Sequence, residues 1–205
     1  WIPIYFSNYR LSPWHGGCAW IFQMTDSTPT AALLQLRQSL KRSPKYLGIY
    51  DRDELVAHEL AHVGRMTFEE PKYEEFFAYR TSPSAFRRCF GPIVQSSFES
   101  MLFVLVLSMI VFVDVFLLIA YGYGAYLSAS WLKLISISMI LFALVRLWIR
   151  RYRFNQCYSS LKEVLSDSTD VLKVMYRMTD EEISQFSKMD QKELRACILE
   201  KSKKS

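Results

Sequence analysis

Two long apolar runs stand out from an otherwise mixed pattern of hydrophobic and polar positions. Met101 to Tyr121 is nearly continuous, with Asp114 well inside it, and Leu132 to Trp148 is a second, shorter run. Crossing a bilayer as a helix takes about 20 apolar residues, so both read as spans. Tyr121, Tyr123, Tyr126 and Trp131 lie between them and Trp148 and Tyr152 follow, as interfacial aromatic belts do. Outside the spans the periods change. Alternation predicts strands over Ile2–Tyr9 and Cys18–Met24, joined by a turn at Ser12-Pro13 and Gly16-Gly17. A helix is expected over Thr30–Lys41 with Pro29 in its first turn, and one more strand over Tyr46–Tyr50. Asp51 with Glu54 reads as an N-cap and capping box, Leu55, Val56, Leu60 and Val63 follow at helical spacing, and Gly64 is the stop. Pro71–Arg80 reads as a further helix opening on proline.

After the spans the chain is charged and helical, with a break at Ser166–Thr169. Thr179 with Glu182 and Asp190 with Glu193 are two more capping boxes, and Leu194, Ile198 and Leu199 form an apolar stripe. Three regions result: 1–98 before the membrane, a helical hairpin over 99–153, and a helical tail over 154–205 that packs on the first region or takes a partner. The fold class is α+β with a short sheet.

Charge sets the expected orientation. Arg80, Arg87 and Arg88 precede the first span, Arg146, Arg150, Arg151 and Arg153 close the second, and the connection carries only Lys133. The positive ends belong on the cytoplasmic side, so a multi-pass protein with its first region and tail in the cytoplasm is expected. A formal net charge of +5 beside two spans suits anionic lipid, and no nucleic-acid-binding module is visible. Asp114 has to face protein or water, and its depth points to Ser136 or Ser138, or to a second copy of the chain. Gly122 and Gly124 leave room for such homo-oligomeric association. No secretory signal pattern is visible ahead of the first strand. Cys18, Cys89, Cys157 and Cys197 form no C-x-x-C pair and read as reduced packing residues.

The candidate chemistry lies in His58-Glu59-Leu60-Ala61-His62, an H-E-x-x-H sequence that uses two of three histidines. Residues four apart share a helix face, so the two imidazoles converge at the separation a zinc ion requires. Glu59 stands beside them as a general base for a zinc-bound water. His15, alone in a loop, is not expected to be a ligand.

Zinc needs a third protein ligand. The metzincin continuation fails, because Arg65 and Phe68 stand where its glycine and last histidine would be. Pro71–Arg80 instead resembles the glutamate helix of gluzincins. Matching Ala78 to the alanine of their Glu-x-x-Ala-Asp pattern implies Glu75 as ligand in preference to its neighbour Glu74, which cannot face the same way; the alternative for both is a solvated acidic face with Glu69 and Glu70. Tyr79 replaces the pattern's aspartate, which would support a histidine. The resemblance covers roughly Tyr46 to Arg80, and the short gap from His62 to Glu75 is similar to the compact, integral-membrane minigluzincins. It implies a zincin-like catalytic region and a Zn2+ cofactor held by His58, His62 and Glu75. It further implies Glu59 as catalytic base and a peptide or protein substrate paired to an edge strand, either Tyr46–Tyr50 or Gly17–Trp20. Membrane peptidases of the CAAX-processing and heat-shock kinds carry similar motifs, with more spans and an aspartate at the Tyr79 position. The reading from another class is a non-catalytic zinc-binding sensor or scaffold, and a third is a latent enzyme blocked by its own tail or edge strand.

Overall fold

The computed structural model describes residues 1–13, 15–22, 31–66, 68, 70, 72–94, 96–165, 168–186, 193 and 196. The expected strand end at Gln23-Met24, the helix start at Pro29-Thr30, Glu69, Pro71, Cys197, the Asp190 cap and the Leu194–Leu199 stripe lie outside those residues. The fold is mixed helix and sheet and divides into two compact units: Trp1–Pro92 with Tyr152–Ser205, and Ile93–Arg151.

The first unit contains a three-stranded sheet of β1 (Ile4–Phe6), β2 (Gly17–Phe22) and β3 (Ala31–Leu36), ordered β1-β3-β2. β3 is a correction, since Ala31–Leu36 was expected to be helical. Only Gln38–Lys41 coils there, as a 3-10 turn. A short apolar run does not separate helix from strand by period. Pairing on both edges decides it, parallel to β1 at Ile4↔Leu34 and antiparallel to β2 at Ala19↔Leu34. Leu34, Gln35 and Leu36 are buried in succession. Gln35 is satisfied inside: its amide donates to Ser7 O (3.1 Å) and Tyr9 O (2.8 Å), and it accepts from Trp20 Nε1 (2.7 Å). β1 is thus tied to β3 and not, as a hairpin partner, to β2.

The expected strand Tyr46–Tyr50 is a turn. Leu47 and Gly48 take φ of 52° and 70° between the two-residue strands β4 (Lys45–Tyr46) and β5 (Tyr50–Asp51). Helix α1 (Arg52–Val63) follows, then α2 (Glu74–Arg80) and α3 (Ala85–Phe90). α2 buries Tyr73, Phe76 and Phe77, whose rings meet Phe154 at centroid distances of 6.1, 5.7 and 5.1 Å. Burying each such aromatic is worth about 1.5–3 kcal/mol.

Phe154, Cys157 and Leu161 lie on the last part of a long helix, which continues into α7 (Ser168–Tyr176) and α8 (Asp180–Gln185). The tail therefore belongs to the same compact unit as residues 1–92. Thr179 and Glu182 form the expected capping box of α8.

In the second unit α4 (Ser97–Tyr121) starts on the Ser96 hydroxyl, which accepts from Glu99 N at 3.2 Å. It stops at Gly122, whose φ of +80° a residue with a Cβ adopts poorly. A short α5 (Tyr123–Ser128) leads into α6 (Lys133–Val164). Arg146 bonds both oxygens of Glu99, one through Nη2 at 2.7 Å, and Lys133 Nζ lies 3.4 Å from Asp114. Those two pairs set α4 and α6 antiparallel. Asp114 is a correction: its partner is Lys133, reaching in from the connection, while Ser136 Oγ is buried with no partner among the described residues. α4 and α6 are long and apolar enough to cross a membrane, and only 6% of each apolar window is buried, unlike a soluble core helix.

Candidate metal centre

α1 starts where the sequence reading placed it, with Asp51 accepting from Asp53 N at 2.9 Å. Glu54 does not close the box. Its carboxylate turns inward to lie 2.9 Å from Arg87 Nη1, an ion pair without hydrogen-bond alignment. Gly64 caps the helix in the right-handed region, at φ −63°, so no left-handed turn ends it.

His58 and His62 share one face, one turn apart, with Nε2 atoms 3.3 Å from each other. α2 brings Glu75 opposite them: Oε1 is 3.7 Å from His62 Nε2 and Oε2 is 3.8 Å from His58 Nε2. One donor atom from each of the three lies within 4.8 Å of the others. Tetrahedral zinc with Zn–N bonds of roughly 2.0–2.1 Å separates its ligand atoms by about 3.3 Å. The histidine pair already has that spacing, and the carboxylate needs to close by a few tenths of an ångström. The donor set fits zinc.

Glu74 also faces α1, contrary to the expectation that it could not face the same way as Glu75. Its Oε1 sits 2.9 Å from His62 Nδ1. With Nδ1 holding the proton for that bond, Nε2 is left as a lone pair aimed between the ligands, the support that metal-bound histidines commonly have. Tyr79, which replaces the aspartate of the resembling pattern, instead lays its ring edge-on to His58 at 4.7 Å. Gly91 allows this, since a Cβ there would come within 2.3 Å of the Tyr79 ring.

The electrostatics are those of a cluster short of positive charge. Burial, with His62 adding to it, pulls His58 down to about 4. Burial pushes Glu75 up to about 7, with Glu74 and Glu59 reinforcing and His62 opposing. Burial lowers His62 too, yet the Glu74 bond and the charges of Glu75, Glu74 and Glu59 outweigh it, so its pKa rises. Glu59 is also raised by burial, and the Ala19 N–H that its carboxylate accepts pulls the other way. A divalent cation would bring the raised Glu75, His62 and Glu59 back down and keep His58 neutral.

Glu59 lies outside the three-ligand group and touches the sheet. Gly16 O accepts from Arg37 N on the β3 side at 2.8 Å, while Ala19 N–H points to Glu59. Gly17, Ala19 and Ile21 therefore aim their backbone groups at the open edge of β2. Of the two expected edges, only β2 is extended beside the site. A cavity of about 150 Å³ opens there, lined by Gly17, Tyr50, Glu54, His58, Tyr79 and Arg87 among others. His15 also lines it, held by Arg37, which bonds its carbonyl at 3.0 Å. Burial and the Glu59 charge push the Cys18 thiol up, away from thiolate.

Sequence reasoning missed three supports. Glu74 was legible as one of two adjacent glutamates opening a helix. The Glu54–Arg87 pair carried no signal beyond charge. Arg65, buried to 2%, bonds Asp180 across 115 residues, a pairing no local pattern announces. No family model matches this chain, and no curated protein or solved structure is detectably similar to it.

Proposed function

We propose that this chain is a membrane-anchored zinc metallopeptidase of integral-membrane minigluzincin type, with a zincin-like catalytic region. The observation that carries the reading is the convergence of His58, His62 and Glu75 beside a buried, non-ligating Glu59 and an open strand edge. Zinc held by these residues supplies a water of pKa lowered to about 7 and polarises a peptide carbonyl. Glu59 takes the proton of the attacking water and passes it to the leaving amine; its raised pKa suits both transfers. Glu74 holds His62 in the tautomer that binds. The β2 edge pairs with the substrate backbone through Gly17 and Ile21, on either side of the Ala19 N–H that Glu59 takes, which fixes the scissile bond over the site. Tyr79, its pKa pushed up to about 12 by burial, remains a neutral phenol at the cavity wall.

In this reading α4 and α6 span the bilayer as a hairpin, and the arginines before the first and after the second support a cytoplasmic catalytic unit and tail. A structural zinc site is closed by four protein ligands. Three protein ligands, with His58 and Glu59 both lining the adjoining cavity, favour catalysis over the sensor reading.

Metal content of the full chain in detergent, together with cleavage of a peptide library, tests this. Glu59→Gln keeps the metal and loses cleavage. Cleavage that survives Glu59→Gln, or a purified chain that takes up no zinc, overturns the proposal.

A further inference from the structure

α3 sorts its side chains in reverse. Arg87 turns inward to Glu54 and lies over the Tyr50 ring at 5.5 Å, and Arg88 folds back onto Ser82 O (2.7 Å) and Pro83 O (2.8 Å). The aromatics face outward: Phe86 is 70% and Phe90 41% exposed, paired at 5.0 Å. An ordinary surface helix buries its apolar stripe and exposes its charges. Next to the Arg87–Tyr50 contact, the turn between β4 and β5 holds out Leu47 and Ile49, exposed by 61% and 63%. Four large apolar side chains thus stand exposed on the two short segments that meet through Tyr50 and Arg87.

The chain itself indicates what covers these side chains. α4, long and apolar enough to span, starts at Ser97, seven positions after Phe90. An extended chain covers at most about 3.3–3.6 Å per residue, so Phe90 is tethered close to a membrane entry point. The chain carries a formal net charge of +5, complementary to anionic headgroups. Exposed aromatics a few residues ahead of a span are the composition of an interfacial anchor.

We propose that Phe86 and Phe90, with Leu47 and Ile49, insert into the headgroup layer of an anionic bilayer. This surface brings the Tyr50–Tyr79–Arg87 end of the cavity down to the membrane. The segments that reach the β2 edge are then those running along the bilayer surface, next to the span of another membrane polypeptide. The substrate class rests on the peptidase reading; the lipid contact rests only on the spans.

The full chain is reconstituted in phosphatidylglycerol-rich vesicles with and without brominated acyl chains. Phe86→Trp adds emission that bromine quenches, relative to the wild-type protein in the same vesicles. An added emission that bromine leaves unchanged, whether water-exposed or covered by protein, overturns the lipid contact. Zinc-loaded protein is then given one sequence in two forms, a soluble peptide and the same peptide joined by a short spacer to a single span. The tethered form is cut at least about ten-fold faster at equal bulk concentration, as an effective-concentration gain requires. The Phe86→Ser/Phe90→Ser double variant removes most of that preference and leaves soluble cleavage unchanged. Equal cutting of both forms by the wild type sinks the substrate class while leaving the peptidase reading intact. Quenching without cleavage of either form sinks the peptidase reading and leaves the lipid contact standing.

Discussion

Two buried polar clusters flank the connection from α1 to α2, and they are balanced differently. At one, Arg65 Nη2 meets Asp180 Oδ1 at 2.8 Å, Arg65 Nη1 donates to Met178 O at 3.0 Å, and Asp180 Oδ2 accepts from Lys72 N at 2.8 Å. Asp180 N bonds Glu70, and Lys72 Nζ reaches Ser184 Oγ at 2.6 Å. A cation faces its anions, and nearly every polar atom has a partner. At the other, His58, His62, Glu59, Glu74 and Glu75 crowd together with no side-chain cation among them, and burial drives Glu75 up to about 7 and His58 down to about 4. The first cluster is complete and holds the tail to the metal helix. The second holds donor atoms in place at an electrostatic cost that a bound cation relieves. Burial is common to both clusters; crowded donor atoms with no lysine or arginine to balance them are found only in the second.

Removing a ligand is the most severe way to break the contrast. His58→Ala or Glu75→Ala leaves two protein ligands, and zinc content falls from about one per chain to near background by elemental analysis, since a catalytic site needs three. Asp180→Ala leaves it unchanged if the two clusters have separate tasks, but unfolds the chain earlier. It strands Arg65, whose side chain is 1% exposed, and breaking one partner of a buried pair costs about 3–5 kcal/mol. Replacing both, as Arg65→Met with Asp180→Leu, recovers most of that stability in thermal unfolding. Zinc loss in Asp180→Ala at temperatures where it stays folded would show that the clamp also positions α2.

How far the sequence reveals this arrangement depends on whether partners are near or far along the chain. His58, Glu59 and His62 are one helical turn of information, and Glu75 is reachable because a family pattern spans the gap. Both apolar helices are legible from length alone. β3 is not, since Ala31–Leu36 suits helix or strand and only its two neighbours settle it. Nor is the Arg65–Asp180 pair, whose members are 115 residues apart. The role of Glu74 was not legible for a subtler reason. Helical geometry sends adjacent residues in different directions, but His62 has two nitrogens, and each glutamate takes one.

Proton competition sharpens the contrast next. Zinc binds the deprotonated ligands. With Glu75 near 7, its carboxyl takes up a proton in the metal-free site as pH falls through 7, the raised His62 adds to the competition, and His58, near 4, stays neutral there. Zinc affinity therefore drops with falling pH by roughly ten-fold per unit for each proton displaced, one to two in this range. Calorimetry in buffers of different ionisation enthalpy counts those protons. An affinity flat from about pH 8 to 6 would contradict the crowded-carboxylate picture. Glu74→Ala is milder, because the ligands remain and only the His62 tautomer is released; a loss of about 10–100-fold in zinc affinity is expected.

The smallest effect belongs to the charged pair of the second unit, which asks whether balance also governs polar groups along the apolar helices. Asp114 lies 3.4 Å from Lys133, and Lys133 also donates to the Tyr126 hydroxyl at 2.9 Å, so this cluster is charge-matched like the Arg65 clamp. It differs in setting: Lys133 side-chain exposure is 42%, and the ammonium can snorkel to the interface when its partner is lost. A double-mutant cycle of Asp114→Ala and Lys133→Ala, read by unfolding of the full chain in detergent, should give a coupling well below that of the Arg65–Asp180 pair. A coupling as large as that of the buried clamp would mean that the pair is shielded from the interface, and that Asp114 depends on Lys133 as Asp180 depends on Arg65.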